Sequence, residues 1–196
     1  MDFIIATNNK DKVKEIKTIL SGHNVISQSE AGINVEAIED GTTFAENALI
    51  KARSIKQFSK CAIIADDSGI MVDYLGGAPG IYSARYAGEG CTPKDCNAKM
   101  LRELEGVPFE KRSAQYVCCM ALILPDGSEH TFEGVCKGYI IEEERGSNGF
   151  GYDPMFYVPQ IDMTFGEAPG EVKHKMSHRY FALCKLAEFV KNMEHF

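Results

Sequence analysis

The sequence predicts an α/β fold on three observations. Short apolar runs that stop at polar residues or glycine read as buried strands, as in Phe3-Ile4-Ile5-Ala6 and Ala62-Ile63-Ile64-Ala65. Between them lie stretches whose apolar residues recur at helical spacing. Farther on, the β-rich run Ser113 to Leu124, the turn Pro125-Asp126-Gly127-Ser128 and a return strand around Glu129 to Ile141 read as a β-hairpin. At 196 residues the chain is one large domain or a compact two-lobed one.

The first strand leads into a polar turn, Thr7-Asn8-Asn9, and then a helix from Lys10 to Leu20 with Val13, Ile16, Ile19 and Leu20 on one face. Lys10, Lys12 and Lys14 crowd its first turn, where the helix dipole disfavours cations, and Asp11 and Glu15 offset this only in part. A bound phosphate chain would account for the three lysines, and so would a solvated basic face. No GxxxxGK[ST] loop occurs. Asn24 to Ser27 reads as a second strand. The acidic run Glu36 to Asp40 precedes Thr43-Phe44-Ala45-Glu46, which has capping-box spacing and opens a helix to about Ser59. Ala45, Ala48, Leu49, Ala52 and Ile55 supply its buried stripe.

The strand at 62–65 is expected to deliver Asp66, Asp67, Ser68 and Gly69 to its carboxyl end, where open α/β sheets bind ligands. Side chains alternate along a strand, so only one of the two aspartates faces a given ligand. Asp-Ser-Gly is also ordinary turn chemistry. Glu39 belongs either to a solvated acidic patch or to a pair with Asp67 that shares a divalent cation, an arrangement that suits Mg²⁺.

Leu75-Gly76-Gly77-Ala78-Pro79-Gly80 reads as a rigid, tightly turning loop, followed by Arg85 as a phosphate contact or an ion-pair partner. Thr92-Pro93 starts a helix to Glu105, and Cys118 and Cys119 read as core thiols. Gly146 to Pro154 is not a dinucleotide fingerprint, because Pro154 stands where a third glycine is needed. Phe150 and Tyr152, beside Asp153, either stack on a base or pack inward. Ser177 is expected to cap a last helix running to about Met193, which leaves His174 outside it and away from any two-histidine metal site with His178. Lys173, His174, Lys175, His178 and Arg179 form a second basic concentration in an acidic chain.

A net charge of -7 speaks against a nucleic-acid polymer or an anionic membrane as partner, and no apolar run approaches the roughly 18 residues of a membrane span. Seven cysteines without a CxxC, and a start with no basic leader, point to reduced thiols in the cytoplasm.

TNNKDK, ADDSG, LGGAPGIYSARY, GFGYDP and SHR, in this order from Thr7 to Arg179, resemble the inosine/xanthosine triphosphate pyrophosphatase family. The resemblance implies hydrolysis of deaminated purine nucleoside triphosphates (ITP, dITP, XTP) to the monophosphate and pyrophosphate, Mg²⁺ dependence and a homodimer. It also implies a single two-lobed α/β domain, with a long mixed β-sheet flanked by helices and a central substrate cleft. Thr7, Asn9 and Lys12, with Asn8, Lys10 and Asp11 between them, match the phosphate-binding loop. Glu39 matches a metal ligand, Asp67 the metal ligand and general base, and Ser68 the adjacent substrate contact. Phe150, Gly151, Tyr152 and Asp153 match the base-binding loop, with Lys173, His178 and Arg179 closing over base and phosphates. The first loop lacks the glycines many members carry, Tyr152 replaces a tryptophan of some, and Gly166 to Gly170 replaces a more helical segment. A nucleotide sensor without turnover and a pyrophosphatase of modified pyrimidine or methylated nucleotides are the rival readings.

Overall fold

The computed structural model describes residues 1–193, with the side chain of Asp11 outside the described residues. In chain order it contains β1 (Asp2–Ile5), α1 (Lys10–Ile19), β2 (Asn24–Ser27), α2 (Phe44–Lys56), β3 (Ala62–Val72), α3 (Pro93–Glu103), β4 (Ser113–Ile123), β5 (Glu129–Ile140), β6 (Phe156–Val158), β7 (Met163–Thr164), α4 (Gly170–Met176) and α5 (His178–Met193). The strands order as β2-β1-β3-β4-β5-β6-β7 in one sheet, so the expected α/β class is what forms. The sheet is mixed. β1 runs parallel to β2 and β3, whereas β5, β6 and β7 pair antiparallel. Among the described residues no helix is long and apolar enough to cross a membrane.

Two compact units share these elements, and the first comprises residues 1–67, 118–134 and the chain from Phe181. Its core follows the strand alternation. Phe3, Ile5, Ala62 and Ile64 pack with Ile16 and Leu20 of the α1 region and with Leu183, Leu186 and Val190 of α5. The intervening Ile4, Ile63 and Ala65 pack with Ala48, Ala52 and Ile55 of α2. The second unit, 68–117 and 135–180, gathers Ile70, Val72, Met100, Leu104, Tyr116, Tyr152, Met155, Phe156 and Phe165.

Local signals set most boundaries. Thr43 caps α2 by accepting from the Glu46 amide at 3.1 Å. Only half of the expected box forms, because the Glu46 carboxylate turns to the Thr42 amide and hydroxyl (2.6 and 2.7 Å). α3 carries a full box between Thr92 and Asp95. Ser177 accepts from the Tyr180 amide at 3.1 Å and caps α5 as expected. The helix α4 just before it was not predicted, and it places Lys173 and His174 on an element of their own.

β3 corrects the sequence reading. It does not stop at Ala65 but continues to Val72, so Asp66, Asp67, Ser68 and Gly69 lie inside the strand rather than at its carboxyl end. The register with β1 ends at Ile5 opposite Ile64, while β4, the neighbour on the other side in the strand order, is an 11-residue strand. The aspartates therefore lie just past the point where β3 loses its parallel partner.

Candidate active site

Alternation along β3 sends its two aspartates to opposite faces. Asp66 has the parity of Ala62 and Ile64, which pack on the α1 and α5 side, and Asp67 has the parity of Ile63 and Ala65, which pack on α2. Asp66 is 3 % exposed, and Lys12 of α1 donates to both of its oxygens at 2.9 and 2.8 Å. The lysine expected on a phosphate chain is thus engaged by the aspartate that faces away from α2. Asn9 caps α1 by accepting from the Lys12 amide at 3.2 Å, and Thr7 accepts from the Asn9 amide at 3.2 Å. Asn8 and Lys10 are exposed. The expected role of the Asp11 side chain lies outside the described residues.

Asp67 meets Lys51 and Asn47, one turn apart on α2. Lys51 Nζ donates to Asp67 Oδ1 at 3.0 Å and to the Asp66 carbonyl at 3.1 Å, and Asn47 Nδ2 donates to Asp67 Oδ2 at 3.3 Å. Glu39 closes on the same ammonium at 2.9 Å. Glu39 and Asp67 therefore do converge, on a lysine. Burial pushes the Asp67 carboxyl above the ordinary range, with Glu39 adding to the rise and Lys51 and Asn47 opposing it. Burial also disfavours the Lys51 charge, but Asp67 and Glu39 outweigh it and hold the ammonium above its usual value. Among the described residues no group of three or more His, Cys, Asp or Glu is placed to hold a metal alone.

Lys51 and Asn47 were missed from the sequence. Their spacing of four was visible, but both fall on a helix whose apolar stripe explains its burial without them.

In the second unit the loop at 146–154 is built on glycines. Gly149 has φ 76°, and a Cβ there would collide with the Asp153 carboxylate and the Lys173 ammonium. Asp153, 2 % exposed, accepts from the Phe150 amide at 2.6 Å and from Lys173 Nζ at 2.5 Å. The two aromatics part company. Tyr152 is buried in the core and donates its hydroxyl to the Ser83 carbonyl at 2.7 Å. Phe150 is 61 % exposed, with Lys173 Nζ 4.6 Å from its ring centroid. Asn97 of α3 donates to the Gly151 carbonyl at 3.2 Å and to Glu144 at 2.7 Å. At the start of α5, His178 and Arg179 are buried, and the His178 ring stacks on Tyr116 at 4.8 Å. Ser68 is half-buried. Arg85 pairs with Glu89 at 3.9 Å, the ion-pair alternative of its two readings.

The model of the Ham1 family matches residues 3–189. A dITP/XTP pyrophosphatase of Desulforamulus reducens is 48 % identical over 198 residues, which is 98 % of this chain and 97 % of its own length. One from Bacillus licheniformis is 50 % identical over 188 residues, 95 % of this chain and 96 % of its own. The structure of the Staphylococcus aureus Ham1 protein superposes with a TM-score of 0.93 at 39 % identity, covering 98 % of this chain and all of that one.

Proposed function

Because the chain belongs to the Ham1 family, we propose that it hydrolyses the deaminated purine nucleoside triphosphates ITP, dITP and XTP to the monophosphate and pyrophosphate, and so clears them from the nucleotide pool. The observation that carries this reading is the Glu39–Lys51–Asp67 cluster on β3 and α2, in a chain 48 to 50 % identical to dITP/XTP pyrophosphatases over nearly its whole length.

In this reading Asp67 is the catalytic group. It orients the attacking water toward the α-phosphorus and accepts its proton, a task that its raised pKa favours. Pyrophosphate departs from the same phosphorus. Glu39 and Asp67 would also hold a divalent cation, taken as Mg²⁺. The two carboxylates already converge within about 3 Å of one positive charge, and Mg²⁺ takes one or two carboxylates, with substrate phosphates and water completing its shell. When bound, the ion offsets the negative charge of the phosphate oxygens. Lys51, with Lys12, Lys10 and the Thr7–Asn9 turn, supplies further positive charge and donors for the triphosphate.

The base is assigned to the 146–154 loop of the second unit. Phe150 supplies the stacking surface, while Asp153 and Lys173 fix the loop that carries it. Arg179 donates to the 6-oxo group, where adenine would present an amino donor instead. The assembly implied by the resemblance is a homodimer. The compartment is the cytoplasm, in keeping with seven unbridged cysteines.

The test is pyrophosphate release from ITP, XTP, ATP, GTP, dUTP and dTTP, each with and without Mg²⁺. Fast, metal-dependent release from ITP and XTP is expected. Release from pyrimidines alone would discard the assigned base loop, and binding without release would make the protein a sensor.

A further inference from the structure

The sulfurs of Cys91 and Cys96 lie 3.3 Å apart. Thr92 is the N-cap of α3, so Cys91 holds the N′ position and Cys96 the N4 position. A hydrophobic staple normally joins these two sites, and here both carry thiols. Cys96 is 2 % exposed, whereas Cys91 is half-buried and opens the pair to solvent.

We propose that Cys91 and Cys96 are an oxidation site that closes reversibly to a disulfide on reaction with a hydroperoxide. The sulfurs need to approach by a little over 1 Å to reach the bond length of about 2.05 Å. Cys91 lies on a turn that Gly88 and Gly90 make at φ 117° and 71°, outside the regular hydrogen bonding of α3.

Burial disfavours a thiolate at Cys96, but the Ala87 amide and the Cys91 thiol outweigh it and hold Cys96 below the ordinary thiol value. The S–H···S contact pushes Cys91 up. Cys96 is therefore the attacking thiolate. Its sulfur takes one peroxide oxygen as the O–O bond breaks, and the departing hydroxide leaves as water with the Cys91 proton. The Cys91 thiolate then displaces hydroxide from the Cys96 sulfenic acid, the S–S bond forms, and that hydroxide takes a proton from solvent. In sum, two thiols are oxidised, one hydroperoxide is reduced, and two waters form when the peroxide is hydrogen peroxide.

The site touches the candidate base loop. Cys96 shares a core cluster with Tyr152, and the next residue, Asn97, holds the Gly151 carbonyl at 3.2 Å. The oxidation chemistry itself needs nothing from the assigned substrate.

The experiment treats the reduced full chain with limiting hydrogen peroxide, alkylates the remaining thiols, unfolds the protein and digests it with trypsin without reductant. Trypsin cuts after Lys94, between the two cysteines, so a disulfide leaves two peptides joined and about 2 Da lighter than the two thiol peptides together. The joined species is expected to form about tenfold faster than oxidation of the exposed Cys184, to vanish with dithiothreitol, and to be absent in Cys91→Ser. Alkylated Cys91 and Cys96 beside an oxidised Cys184 would overturn the proposal. So would over-oxidation of either thiol without a link, or the same tenfold preference in urea-unfolded chain. The wild-type measurement stands even if the variant fails to fold.

Discussion

Replacing Lys51 with Met tests whether its ammonium opposes the upward push that burial puts on the Asp67 carboxyl. The substitution keeps the length of the side chain and removes its charge and donors. Asp67 loses a charge-assisted bond of 3.0 Å, and both side chains are well sheltered, at 18 and 13 % exposure. A hydrogen bond to a charged group contributes about 1.5–3 kcal/mol. Its loss moves the Asp67 carboxyl further up, on top of the rise that burial already imposes. The Glu39 half of the pair adds less, because that carboxylate is 36 % exposed and screened. A carboxyl whose folded pKa lies above its unfolded value stabilises the fold fully below the unfolded pKa, and that contribution is lost as pH rises through the folded value. The variant should therefore lose stability relative to wild type near neutrality and approach it in acid. Carbon-13 titration of the Asp67 carboxyl in metal-free protein reads the shift directly, with urea melts at pH 7 and pH 4 beside it. An unchanged Asp67 midpoint in a folded Lys51→Met protein would refute the reasoning.

Four further outcomes follow from the same geometry. Asp67→Asn should lower pyrophosphate release from ITP by about 10²–10⁴ with the circular dichroism melt retained, as expected for loss of a general base; wild-type rates would remove Asp67 from the mechanism. Lys12→Met takes the bidentate partner from an aspartate 3 % exposed and should cost about 3–5 kcal/mol in urea unfolding. Gly149→Ala forces a Cβ into Asp153 and Lys173 at a positive φ; its KM for ITP should rise several-fold while the Glu39–Lys51–Asp67 cluster is untouched, checked by comparing KM with the Asp67 titration. Arg53→Ala breaks an exposed pair with Glu129 and should change stability by less than about 1 kcal/mol by thermal melt, a control for the buried pairs.

The elements that announced themselves in the sequence are those governed by short-range chemistry. Thr43 and Thr92 mark the starts of α2 and α3, and the Asp126-Gly127-Ser128 turn marks the hairpin between β4 and β5. β3 was cut short because Asp66 to Gly69 look like terminators. They stay extended past the last β1 partner in a strand that has β4 as its other neighbour, and a neighbouring strand is not local information. α4 went unseen because Gly166 to Gly170 offers neither an apolar period nor a side-chain cap before it. In the site, Asp67 and Glu39 were legible as carboxylates of the right type, but their meeting on Lys51 was not. Sequence spacing cannot tell a snorkelling surface lysine from one drawn down against two acids. The same holds for Phe150 and Tyr152. Two aromatics two residues apart are equivalent in composition, and the Ser83 carbonyl, nearly seventy residues away in sequence, makes one of them core.

Strand alternation also divides the labour of adjacent acids. Asp66 faces the α1 and α5 side, is nearly sealed from solvent, and is clamped by Lys12 through both oxygens. That clamp suits a residue that ties β3 to the start of α1. Asp67, one residue on, has a single shared ammonium, a neighbouring acid and one long amide contact. Burial, with Glu39 adding to it, keeps its proton affinity above that of an ordinary aspartate against the opposing pull of Lys51 and Asn47. A base needs such a poised state, and a structural ion pair does not. Exchanging the two roles by sliding the register one residue would point the poised acid at α1 and the clamped one at α2. Pairing of Phe3 with Ala62 through Ile5 with Ile64 is what prevents that slip, because the slip would also turn Ile63 and Ala65 away from α2. The apolar core of the first unit thus decides which of two adjacent carboxylates faces α2 and Lys51.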